Sequence, residues 1–254
     1  MKIREFIDGI EKLYPKSAAA PWDHDGLQCC ADPDRELRRV LVALDATEEV
    51  VDYAVKGEYD LILTHHPMLF GSVGDIVPEE LYGRKIIKLI GGGVATASYH
   101  TRLDAGKGGV NDILAELFCL NNTRVYGDED HPSIGRIGEL PREMDAEELC
   151  LLVREKLGAP YVKLSRNGKI RTLAVLGGAG KSCIPSAIAA GADAILTGEV
   201  SYNSALDFAD MGIAVIEAGH YYTEFPVCRR LAELVQSIAG VEADIYAIEP
   251  QKHF

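Results

Sequence analysis

Asp60-Leu61-Ile62-Leu63-Thr64-His65-His66-Pro67 is an apolar run that stops at two adjacent histidines and a proline. Three consecutive apolar side chains fit a short strand covered on both faces. Pro67 has no amide hydrogen to give a ladder, so the chain must leave the sheet at the histidines. Neighbouring side chains on a strand point to opposite faces, but that alternation breaks at a strand exit, and both imidazoles can then reach one cluster. Two readings stay open from these residues alone: one ring packed and the other solvated, or a binding site that uses both.

Upstream, Val40-Leu41-Val42-Ala43-Leu44-Asp45 is a second apolar strand, and Thr47 followed by Glu48 and Glu49 signals a helix start. That helix runs to about Lys56-Gly57, which completes a strand-helix-strand unit. The N-terminus spaces Ile3, Phe6, Ile7, Ile10 and Leu13 at helical intervals. The loop Pro21 to Gln28 carries the lone Trp22 among acids and His24; it reads either as a core anchor or as a binding loop. Downstream, a helix is predicted from Pro78 to about Ile90, stopped by Gly91-Gly92-Gly93. The strand Val94 to Ser98 then delivers Tyr99-His100-Thr101-Arg102-Leu103-Asp104, and Asn111 is a candidate cap for the next helix.

From about Val125 the pattern changes. Gly135 to Leu140 reads as a strand, Asp145 with Glu147 and Glu148 starts a helix, and Leu157-Gly158 stops it. Tyr161 to Leu164 and Ile170 to Leu176 flank Asn167-Gly168, which predicts a hairpin. Gly177-Gly178-Ala179-Gly180-Lys181-Ser182 resembles a phosphate loop but lacks its first glycine, since Val175 stands there. A tight strand-to-helix turn is the expectation, with its amides open to an anion. A last amphipathic helix carries Leu231, Leu234, Val235 and Ile238, and a terminal strand is predicted from Val241 to Ile248.

Two windows match in pattern: VLVALDATEEVVDYAVKGEYDLILTHH from Val40 and TLAVLGGAGKSCIPSAIAAGADAILTGE from Thr172. Each runs strand, turn, helix, then Asp, three apolar residues and Thr. Each is followed, after another helix, by a strand that ends in His-x-x-x-acid: His100 and Asp104 in one, His220 and Glu224 in the other. The likeness suggests an internal repeat. In open α/β sheets ligands gather beyond the carboxyl ends of strands, where His65, His66, His100 to Asp104, Glu199 and His220 to Glu224 all fall. Imidazoles with carboxylates suit Zn, Mn, Fe, Co or Ni, and several carboxylates allow one to bridge two ions.

Composition bounds the function. The formal net charge of −13 provides no basic face for phosphate neutralisation and argues against nucleic-acid or anionic-membrane binding. No run of about 18 apolar residues suggests a membrane span. Six cysteines without C-x-x-C spacing, and no signal peptide, make reduced thiols in a cytoplasmic protein the expectation.

The segments WDHDGLQ, DLILTHHPMLF, HTRLDAGKGGVND, IGRIGEL, TGEVSYNSALDFADMGI and VIEAGHYYTE together resemble the NIF-three-like family, whose members carry the name GTP cyclohydrolase I type 2 homologue. The resemblance spans nearly the whole chain. It implies two intertwined α/β domains, with a dinuclear metal site at strand C-terminal ends between them, and a toroidal homohexamer. On that basis the first domain is expected over 1–125 plus 216–254 and the second over 126–215. Carried over by position, the metal ligands fall on His65, His66, Asp104, His220 and Glu224, holding two divalent ions per chain, with His100 beside them as the catalytic group. The usual Asp-Asn of the first loop is replaced here by Asp23-His24-Asp25. The implied activity is hydrolysis of a small molecule such as GTP or another nucleotide, with water attacking C8. The alternative is a non-enzymatic metal-binding scaffold that acts through protein partners.

Overall fold

The computed structural model describes residues 1–249 and 251. In chain order the elements begin with α1 (Ile3–Leu13), β1 (Gly26–Cys29), β2 (Val40–Ala43), α2 (Glu48–Lys56), β3 (Leu61–Thr64), α3 (Leu81–Gly92), β4 (Ala95–Ser98) and α4 (Thr101–Ala105). Next come α5 (Val110–Leu117), β5 (Asn121–Tyr126), β6 (Gly135–Asp145), α6 (Ala146–Leu157), β7 (Lys163–Leu164), β8 (Lys169–Leu176) and α7 (Ile184–Ala189). The chain closes with β9 (Ala194–Thr197), α8 (Tyr202–Asp210), β10 (Ala214–Glu217), α9 (His220–Glu224), α10 (Val227–Ala239) and β11 (Ala243–Ile245). Two compact units result, Met1–Leu103 with Val227–Ile248, and Asp104–Pro226 with Glu249. Both are α/β, as the alternating pattern indicates.

The first unit holds a five-stranded sheet in the order β1-β4-β3-β2-β11. Strands β2, β3, β4 and β11 run parallel, and β1 lies antiparallel to β4 at the edge. Every residue of β3 is buried, so the short apolar run is indeed a strand covered on both faces. Leu41, Ala43 and Ile62 pack with Val50, Val51 and Leu89 of α2 and α3. The alternate residues turn to the other face, where α10 lies on β2 and β3. Each fully buried Leu or Ile of β3 contributes about 1.5–3 kcal/mol. Thr47 caps α2 as read, its side chain accepting from Val50 N at 3.2 Å.

The second unit has a six-stranded sheet, β5-β6-β8-β9-β10-β7. Here β8, β9 and β10 are parallel, with β7 antiparallel beside β10. Each unit therefore contains three successive parallel strands with a short antiparallel strand next to the third. The matched aspartates do the same work in both. Asp60 Oδ2 accepts from the backbone N of Arg38 and Arg39 at 2.8 and 2.9 Å, just before β2. Asp193 Oδ2 accepts from the backbone N of Arg171 and Thr172 at 2.9 and 2.8 Å, where β8 runs alongside β9. A carboxylate at the N-terminal end of the middle strand thus clips the strand before it.

Four local expectations are corrected. Asn167-Gly168 does not close a hairpin: β7 pairs with β10, and β8 pairs with β6 and β9. The turn is recruited by α6 instead, with Gly168 O accepting from Ala146 N and Asn167 Nδ2 donating to Glu147. Helix α3 begins at Leu81 rather than Pro78, because Val77 to Glu80 closes its own turn and Arg84 Nη1 holds Pro78 O at 2.8 Å. Asn111 is not a cap; it lies buried inside α5, whose N-cap is Gly109. The terminal strand is confined to Ala243–Ile245, the residues with register on β2.

Candidate metal centre

The first unit gathers His65, His66 and His100, each offering a ring nitrogen within 4.8 Å of the others. The strand exit brings the first two there. Thr64 Oγ1 donates to His66 O at 2.7 Å and His66 N donates to Leu44 O at 3.0 Å, which turns the chain out of the ladder one residue before Pro67. His65 ends fully buried and His66 partly exposed. His100 follows β4, the next parallel strand over. The ring centroids lie 5.0, 5.3 and 5.6 Å apart.

What makes this group a candidate site is the far side of each ring. His65 Nδ1 lies 2.9 Å from Tyr99 O, His66 Nδ1 2.8 Å from Asp45 Oδ1, and His100 Nδ1 3.1 Å from Asp23 Oδ1. A carbonyl or an ionised carboxylate can only accept, so Nδ1 carries the proton in each case and Nε2 of the neutral ring is left with its lone pair. Such outer partners fix the tautomer and aim of metal-binding histidines.

The loop before β1 is the frame for His100. Asp23 is buried and accepts from Thr101 N at 3.0 Å and Thr101 Oγ1 at 2.6 Å as well as facing His100. Burial alone would raise its carboxyl, but the bonds from His100 and Thr101 outweigh it and hold Asp23 well below the usual carboxylate range, hence ionised. Asp25 accepts from His100 N at 3.0 Å and from Arg102 Nε at 2.8 Å. Gln28 links two loops: its Nε2 donates to His24 O and Leu69 O at 2.7 and 3.0 Å, and its Oε1 accepts from Met68 N at 2.8 Å.

In the second unit His220 stands between two carboxylates, Glu199 and Glu224. His220 and Glu224 are four apart on α9, and His220 Nε2 lies 3.0 Å from Glu224 Oε2. His220 Nδ1 lies 3.1 Å from Glu199 Oε1, so this fourth histidine also keeps Nδ1 on an acceptor. Gly178, at φ +67°, makes room: a Cβ there would stand 2.2 Å from Glu224 Oε1. The amides of the glycine-rich turn are already used, Gly177 N on Asn111 Oδ1, Gly178 N on Thr223 Oγ1 and Gly180 N on Thr197 Oγ1. That loop serves close packing around Glu224 and holds no anion through those amides. Asp104, buried at the end of α4, has its carbonyl held by Asn111 Nδ2 at 3.2 Å.

A family model described as Duf34/NIF3 (NGG1p interacting factor 3) matches residues 1–253. The chain belongs to the Duf34/NIF3 family. Among its relatives is a Clostridium perfringens protein named GTP cyclohydrolase 1 type 2 homolog, 34% identical, with 93% of this chain and 92% of that protein covered. Among solved structures, the Staphylococcus aureus hypothetical protein SA1388 superposes with a TM-score of 0.90 at 26% identity, covering 100% of this chain and 99% of that one. Reduced HcgD from Methanocaldococcus jannaschii gives a TM-score of 0.86 at 30% identity, with 98% of both chains covered.

In this Duf34/NIF3 chain His65, His66 and His100 stand together in one unit, and His220 stands with Glu224 in the other. The donor set suits a divalent transition ion: imidazoles with preset tautomers and buried or half-buried carboxylates. Sequence reading missed Asp23 and Asp45. Asp45 had a usable signal, since it follows β2 at the same strand end that delivers the histidines from β3. Asp23 stood out only as part of the Pro21 to Gln28 loop, and nothing local pairs it with His100, 77 residues away.

Proposed function

We propose that this Duf34/NIF3 protein is a metal-dependent hydrolase acting on a small molecule, with GTP or another nucleotide as the first candidate. Its ligands in this reading are His65, His66, Asp104, His220 and Glu224, serving about two divalent ions per chain. The observation that carries it is the set of Nδ1 contacts, each to an atom that only accepts, which suits Nε2 of His65 and His66 to metal ligation and Nε2 of His100 to taking a proton. Ions bound there would supply Lewis acidity and lower the pKa of coordinated water. His100 is the proton-handling group: ionised Asp23 holds its tautomer and stabilises the ring when it takes a proton at Nε2. Tyr99 O and Asp45 keep His65 and His66 aimed without taking part in proton movement.

Two further parts of the reading rest on family likeness and chemistry. A homohexamer is expected, which light scattering checks. A reducing, cytoplasmic setting accords with six free cysteines. No helix among the described residues is long and apolar enough to cross a membrane. The central test is elemental analysis of protein purified without chelator, followed by a screen of nucleotides and phosphoesters against a His65→Ala control. Metal retention with no turnover across several metals would favour the scaffold alternative.

A further inference from the structure

We propose that Trp22 and Phe70 form the platform on which the planar heteroaromatic ring of the substrate binds beside His100, an inference that rests on the reading of this histidine group as a reaction site. The Trp22 ring centroid lies 6.0 Å from His100 and 6.1 Å from Phe70, and Phe70 lies 6.1 Å from His100. Each of the three rings therefore neighbours the other two. Trp22 is tilted 70° and Phe70 77° to the imidazole, so a plate laid on either ring meets His100 at a steep angle rather than stacking on it.

Both aromatics are more than half exposed, at 52% and 58%. One exposed aromatic is ordinary, but two against the same imidazole make a local apolar patch of the kind that marks a binding surface. Their backbones are fixed. Asp23, next to Trp22, is buried against Thr101, and its N donates to Ala20 O at 2.9 Å. Gln28 ties the loop that carries Trp22 to Met68 and Leu69, immediately before Phe70. Backbone held on both sides of the two rings lowers the loop-ordering cost of binding another ring between them and His100. Stacking also explains an uncharged recognition element in a chain of net charge −13.

Trp22 is the chain's only tryptophan, so its emission reports on this group of rings alone. Metal-loaded protein is titrated with guanosine, cytidine and nicotinamide mononucleotides, with ribose 5-phosphate, and with added metal alone. A saturable change in emission is expected with at least one ring-bearing nucleotide and none with ribose 5-phosphate. By equilibrium dialysis, Trp22→Leu and Phe70→Leu should each weaken binding of that nucleotide by roughly 5- to 150-fold, the range for one base on one aromatic. Trp22→Phe should restore most of it, with metal content unchanged throughout. Equal binding of ribose 5-phosphate, or nucleotide binding that survives both leucine variants, overturns the platform. Protein that holds its metal yet binds none of the three nucleotides overturns the platform and leaves the metal reading standing. Nucleotide binding to protein that never takes up metal does the reverse.

Discussion

His100 Nδ1 lies 3.1 Å from Asp23 Oδ1 across 77 residues of chain, and the same carboxylate takes the backbone N and the hydroxyl of Thr101. One buried aspartate therefore sets both the ring and the backbone that follows it. His100→Ala should keep its metal and lose turnover by ~10²–10⁴, the usual loss for a general acid or base. Asp23→Asn should lose about 10–100-fold through a misaimed ring. Rates normalised to metal content check this; equal metal loss in His100→Ala and His65→Ala would instead make His100 a ligand.

About two divalent ions per chain are expected from the donor set. His65→Ala, Asp104→Ala and Glu224→Ala should each lower occupancy in elemental analysis. Asp25→Ala should lower it less, because Asp25 holds the His100 backbone and Arg102. Equal loss in all four would misplace the site.

Gly178→Ala should destabilise the fold by about 1–3 kcal/mol, since the residue sits at positive φ and a methyl group would meet the Glu224 carboxylate. Denaturant unfolding of the metal-free protein measures it. A neutral result would mean that the loop shifts freely away from Glu224.

Asp60→Ala should cost about 1–3 kcal/mol, because it removes a buried carboxylate that takes two part-buried backbone donors, of Arg38 and Arg39, and pairs with Arg35 at 2.8 Å. Asp193→Ala makes the same kind of change at an exposed residue, where water replaces the lost acceptor, and should cost less. Comparison of the two midpoints decides it.

Among the thiols, exposed Cys119 should react first with a disulfide reagent at mildly alkaline pH. Burial pushes the Cys183 thiol up to about 11, so it stays protonated and slow until the chain unfolds. Mass spectrometry of partially labelled protein orders the sites.

The strand that ends in His65 and His66 was legible because a continuous apolar run closed by a proline admits few other folds. Thr47 was legible because a cap is local chemistry. Asn167-Gly168 misled for the complementary reason: a strong local turn signal does not say which strands it joins, and β10 competed successfully for β7. Asp23, Gln28 and Asn111 act through contacts at 77, 41 and 66 residues' separation, and no periodicity announces them. Asn111 in particular looked like a cap while serving as a brace for Asp104 and Gly177.

The paired aspartate clips place the architectural load of both sheets at one end and the reactive groups at the other. Beyond the clip, Thr64 leads into His65-His66 whereas Thr197 leads into Gly198-Glu199. A strand pattern held from its far end in this way leaves the side chains at its exits free to differ without disturbing the clip. Laboratory evolution confined to those exits should yield folded proteins at a higher frequency than the same number of changes spread over the strands.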